Sequence, residues 1–203
     1  MTLWAIVPVK PLRRGKSRLA GVLSEDDRAA LNRRLLTHTV DALKQIPEIL
    51  DVLVVSRDTE ALALARDHGA RTLQEDGAPH LNVALERAAA VAQSYHAQSL
   101  LVLPADLPQL VTADLQSMLE AGKQPPVVVL APDHHREGTN ALYMNPAGTI
   151  RFDFGEGSFD RHREQALAAG VDLKVMELPS LAHDVDVPED LEFLAAPLNE
   201  LID

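Results

Sequence analysis

The sequence predicts a three-layer α/β fold built on a mixed, mostly parallel sheet. Two observations carry this expectation. Continuous apolar runs alternate with helical patterns along most of the chain, as strands buried on both faces do. Two later apolar runs are joined by a polar stretch shorter than the dozen or more residues a parallel crossover needs, so that pair is expected to be antiparallel. The 203 residues are read as one domain, 1–203, with no interdomain linker and no internal repeat.

The elements follow in order. Residues 3–7, Leu-Trp-Ala-Ile-Val, read as a buried strand. Ser24 opens a helix with Glu25, Asp26 and Asp27 in its first turn, where acids complement the positive helix end. Leu31, Leu35, Leu36, Val40 and Leu43 keep one apolar face until Pro47 stops it. Residues 52–55 form the next strand, and a helix over 59–68 ends at Gly69. Residues 71–74 suit a short strand. Leu81, Leu85, Ala88, Ala92 and Tyr95 step by four and three, which predicts a helix. Residues 100–103 are a buried strand, and Thr112 is expected to cap a helix running to Ala121. Residues 127–131 and 140–144 are the antiparallel pair. A helix is expected after Ser158, and Pro188 is expected at the first position of another, with Glu189 and Asp190 in its first turn.

Composition narrows the function classes. Thirty acids against 19 bases give a formal charge of −11, which disfavours bulk binding to nucleic acid. There is no cysteine, which removes disulfide scaffolds, thiolate metal sites and cysteine nucleophiles. No apolar run approaches the ~20 residues needed to span a bilayer, and residues 1–10 lack the features of a signal peptide. A cytoplasmic protein without membrane or nucleic-acid partners is the expectation, and a homodimer is left open.

In open α/β sheets, ligands bind beyond the carboxyl ends of the strands. After the first strand, residues 8–19 carry five cations in nine positions: Lys10, Arg13, Arg14, Lys16 and Arg18. Lysine offers a point charge and arginine a bidentate fork, so the cluster suits a polyphosphate. Its glycine spacing is not that of a P-loop. Asp106 lies between Pro104 and Pro108 just past a buried strand, fit either for a turn or for Mg²⁺, which takes one or two carboxylates plus phosphate oxygens. Asp184 and Asp186 precede the last helix and can cap it or hold metal; alternation along this segment is read as turning Asp184 away from Asp186. His134 and His135 are expected in solvent. Gly155, Gly157 and Ser158 lead into a helix and suit an anion seat, within reach of His162.

Five segments in this order resemble one family: the basic stretch 8–19; 104–108, Pro-Ala-Asp-Leu-Pro; 138–142, Gly-Thr-Asn-Ala-Leu; 154–159, Phe-Gly-Glu-Gly-Ser-Phe, with His162; and 184–190, Asp-Val-Asp-Val-Pro-Glu-Asp. The resemblance is to the 2-phospholactate/phosphoenolpyruvate guanylyltransferases of deazaflavin coenzyme F(420) biosynthesis, and it spans essentially the whole chain. It implies the Rossmann-like nucleotidyltransferase fold shared with molybdenum-cofactor guanylyltransferase, though the glycine-rich loop start typical of the latter is lacking. It implies transfer of GMP from GTP to a phosphorylated three-carbon acid, phosphoenolpyruvate or 2-phospho-L-lactate, with release of pyrophosphate. It implies that Lys16, Asp106 and Asp186 are catalytic, and that both acids hold Mg²⁺, or Mn²⁺ in its place. Pro8, Lys10, Arg13, Lys16 and Arg18 would face the nucleotide. Thr139, Gly155, Ser158 and His162 would seat the acid. The residues leave two alternatives open: another acceptor, such as molybdopterin or a sugar phosphate, and a non-catalytic nucleotide-binding module.

Overall fold

The computed structural model describes residues 2–77 and 80–194. Among these residues, seven strands form one sheet: β1 (Leu3–Val9), β2 (Ile49–Ser56), β3 (Arg71–Gln74), β4 (Ser99–Val102), β5 (Val127–Pro132), β6 (Thr139–Asn145) and β7 (Asp172–Val175). Their order is β3-β2-β1-β4-β6-β5-β7. β6 runs antiparallel to both β4 and β5, and the other adjacent pairs are parallel. The sheet is therefore mixed and mostly parallel, with its reversal where the short polar connection placed it.

Among the described residues, five α-helices cover the two faces: α1 (Glu25–Lys44), α2 (Thr59–Asp67), α3 (Leu81–Ser94), α4 (Thr112–Ala121) and α5 (Ser158–Ala168). Alternation along β1 divides the core. Leu3, Ala5 and Val7 pack with Leu36, Val40 and Leu43 of α1 and with Met118 of α4. Trp4 and Ile6 point to the other face, with Ala84, Leu85 and Ala88 of α3 and Phe159 of α5. A satellite cluster of Leu19, Leu23, Leu31, Leu35 and Val185 ties the loop after β1 to α1 and to the chain near its end.

Ser24 caps α1 by accepting from the Asp27 N–H, and Asp27 returns the bond to the Ser24 N–H. Thr112 is the first residue of α4, not its cap; Val111 holds that position and offers no side-chain bond. The segment after Pro188 is a 3₁₀ helix (Pro188–Phe193), where a regular helix was expected. β7 went unread in the sequence, because its four residues are half-buried or exposed and include Lys174. No described helix is long and apolar enough to cross a membrane.

Candidate active site

The strand order changes direction between β1 and β4, and a cavity of about 340 Å³ opens at the carboxyl ends of these strands. Pro8 and Lys10 contribute from the end of β1. The loop beyond is braced on both sides. The Leu12 N–H donates to Asp58 Oδ2 at 2.7 Å, and Asn32 Nδ2 donates to the Leu12 carbonyl at 2.7 Å. Gly15 passes so close that a Cβ there would lie 2.9 Å from Asn32 Nδ2. Lys16 takes a left-handed backbone conformation, φ 55°, which L-residues rarely adopt. The adjoining 3₁₀ turn (Ser17–Gly21), anchored by Leu19 in the satellite core, holds it there. The buried Lys16 ammonium donates to the Val185 carbonyl and lies 3.9 Å from Asp106 Oδ2.

Three carboxylates meet at this point. Asp106, Asp184 and Asp186 each offer one oxygen, all within 4.8 Å of one another. The Val185 N–H donates to the Asp106 carbonyl at 3.0 Å, fastening the late segment against the end of β4. The expectation that Asp184 turns away from Asp186 is incorrect. Residues two apart in an extended chain share a face, and Val185 between them is the one that points into the core. Burial, and then the charge of Asp106, push the Asp184 carboxyl above its ordinary range. Asp106 Oδ1 is buried without a hydrogen-bond partner. Crowded hard oxygens, one of them orphaned, form the donor set that a divalent cation such as Mg²⁺ takes. The capping role goes to Asp190, whose Oδ2 accepts from the N–H groups of Asp186 and Val187 at 2.7 and 2.8 Å.

The glycine-rich seat is a second polar centre. Ser158 Oγ accepts from the Thr139 N–H at 3.0 Å, and the Thr139 hydroxyl lies 3.0 Å from His162 Nδ1. His162 Nε2 accepts from the Asp153 N–H at 3.0 Å. An accepting Nε2 makes the ring neutral, with its proton on Nδ1, directed at the Thr139 hydroxyl. Burial agrees, lowering the His162 pKa to about 4. Gly155 and Gly157 have φ of 129° and 69°, which suit glycine. Asn82 of α3 holds this loop through both the N–H and the carbonyl of Phe154. Asn140, next to Thr139, donates through Nδ2 to the Leu181 carbonyl at 2.8 Å and so ties the seat to the segment that leads to Asp184 and Asp186.

The structure thus brings Pro8, Lys10, Lys16, Asp106 and Asp186 to one cavity. Arg18 sits beside it, 3.2 Å from Asp186. Arg13 points elsewhere, pairing with Asp26 at 2.7 Å at the start of α1. Thr139, Gly155, Ser158 and His162 gather at the neighbouring seat. His134 and His135 are exposed, as expected, with their rings tilted against each other and their centroids 3.7 Å apart. The sequence reading missed Arg57 and Glu75, which also line the cavity. Each directly follows a strand, the same positional signal that singled out Lys10.

Known proteins resemble this chain in sequence and in fold. A family model described as guanylyl transferase CofC like matches residues 3–196. The chain is 45% identical over 196 residues to the phosphoenolpyruvate guanylyltransferase of Rubrobacter xylanophilus, covering 97% of this chain and 95% of that protein. It is 41% identical to the phosphoenolpyruvate guanylyltransferase of Sphaerobacter thermophilus, covering 96% and 93%. Among solved structures, a nucleotidyl transferase from Methanothermobacter superposes with a TM-score of 0.66 at 15% identity, covering 95% of each chain. The 4-diphosphocytidyl-2C-methyl-D-erythritol synthase of Anaerococcus prevotii gives 0.63 at 11% identity, covering 95% and 93%. At such identities these structures speak to the fold alone.

Proposed function

The chain belongs to the CofC-like guanylyl transferase family, and from that premise we propose that it joins GMP from GTP to the phosphate of phosphoenolpyruvate, releasing pyrophosphate. A phosphate oxygen of the acid attacks the α-phosphorus of GTP. One P–O bond forms there as the bond to the β-phosphate bridge breaks, and the electron pair leaves with pyrophosphate. The attacking oxygen is already anionic, so no strong base is required. The obstacle is repulsion between two anions, and catalysis consists of positioning and charge neutralisation.

The observation that carries this reading is the buried Lys16 ammonium 3.9 Å from Asp106, within a cluster of three acids at the ends of β1 and β4. Asp106, Asp184 and Asp186 would hold Mg²⁺, which supplies positive charge between the two substrates when bound. Lys16 adds fixed charge at the same point, and Lys10 extends it along the cavity. The neutral His162 orients the Thr139 hydroxyl and supports the acid's seat without itself exchanging a proton. We place the reaction in the cytoplasm.

Product analysis tests the proposal. Pyrophosphate and a guanylylated phospho-acid are expected with GTP and phosphoenolpyruvate or 2-phospho-L-lactate. GTP binding without pyrophosphate release from any acceptor would mark a binding module. Release only with molybdopterin or a sugar phosphate would move the enzyme to another acceptor.

A further inference from the structure

The ends of β3, β2, β1 and β4 stand side by side, and the residue at or near each end lines the same cavity: Glu75, Arg57, Lys10 and Asp106. In sheet order their charges run negative, positive, positive, negative. Neighbouring strands lie about 4.8 Å apart, so Glu75 is roughly 14 Å along the row from the end of β4. Lys16 and the three acids fix the phosphate end at β1 and β4. The far end, at β2 and β3, is left for the nucleoside. Its floor is apolar, from Leu81 and Ala84 at the start of α3, and suits a flat base.

We propose that Glu75 and Arg57 read the base and select guanine; the inference rests on the guanylyl transfer proposed above. Guanine presents adjacent N1–H and N2–H donors, which one carboxylate accepts together. Its O6 and N7 are acceptors that match an arginine fork. Adenine puts an N1 lone pair where guanine has a donor, so Glu75 repels it. Both side chains are available for this task. Among the described residues neither makes an ion pair or a side-chain hydrogen bond, although they follow adjacent strands. The Glu75 backbone is fixed, its N–H donating to the Ser56 carbonyl at 2.9 Å.

Inosine and xanthine nucleotides isolate the contact. ITP lacks only the 2-amino group, and XTP carries an oxygen there. With phosphoenolpyruvate as acceptor, the wild type should favour GTP over ITP in kcat/KM by roughly ten- to a hundredfold, the range for losing one half of a well-placed polar pair. Glu75→Gln should collapse that ratio towards one and gain turnover with XTP, because the amide N–H donates to the 2-oxygen. A GTP:ITP ratio left unchanged by Glu75→Gln, with no gain on XTP, would overturn the assignment while guanylyl transfer stands. Titration calorimetry of GTP and ITP without acceptor keeps the two questions apart. If the wild type releases no pyrophosphate, guanylyl transfer fails, and base reading is then judged by binding alone. Tenfold or greater preference for GTP that Glu75→Gln abolishes supports the inference. Equal binding of both nucleotides overturns it.

Discussion

Lys16 has two duties that one substitution separates. Its ammonium neutralises charge beside Asp106, and its bond to the Val185 carbonyl helps hold the acid-bearing segment. Lys16→Ala should lower turnover by on the order of 10²–10³, the scale of one lost preorganised electrostatic contact, with the sheet still folded by circular dichroism. Near-normal turnover would exclude it from the machinery. Asp184 was legible as an acid in the right segment but was assigned the wrong direction, since the burial of Val185 decides the face. Asp184→Asn is accordingly expected to impair turnover as severely as Asp186→Asn. A mild phenotype in the Mg²⁺-saturated assay would remove it from the cluster. His162 makes a pH prediction. Its folded pKa is about 4, against 6.5 unperturbed. The unfolded state binds more protons between those values, so stability is full above about pH 6.5 and falls as pH drops towards 4, by on the order of 3 kcal/mol. Melting of wild type and His162→Gln across this window checks it. The variant's curve should be flatter, and parallel curves would contradict the buried neutral ring.

Elements show where local sequence suffices and where packing takes over. The Ser24 box was readable, because a hydroxyl followed by acids has a local use at a helix start. Ser24→Ala should cost about 1 kcal/mol in denaturant unfolding with kcat unchanged, since Ser24 does not line the cavity. Gly122 had no such signal. A Cβ there would fall 2.1 Å from Cε1 of the buried Tyr143 ring, so α4 can end against β6 only because this residue is bare. Gly122→Ala should destabilise by about 1–3 kcal/mol through overpacking. An unchanged melting temperature would show that the ring shifts freely. The buried strands were readable as continuous apolar runs; the edge strand β7 was not, because Asp172 and Lys174 break the pattern that burial on both faces creates.

At the scale of the molecule, the site exists because of strand order and one reversal. β6 runs opposite to its neighbours, so its first residues, Thr139 and Asn140, arrive at the edge where β1 and β4 end. The strand-end rule found Lys10, Lys16 and Asp106 from sequence, because each follows a recognisable apolar run. It also applied to Arg57 and Glu75, yet lone charges after strands carry no weight until the sheet order sets them in one row. Arg13 was misleading for the converse reason: proximity in sequence gave it to the basic loop, whereas Asp26 at the start of α1 takes it. Three acids would hold a divalent cation between two anionic substrates, with the Lys16 ammonium adding fixed positive charge beside it. Pyrophosphate release from GTP and phosphoenolpyruvate, measured across a Mg²⁺ titration for the wild type and for Asp106→Asn, tests it most directly. Saturable Mg²⁺ dependence is expected in the wild type, with turnover abolished in Asp106→Asn at ordinary Mg²⁺. Metal-independent turnover, or an Asp106→Asn curve that overlays the wild type, would contradict it.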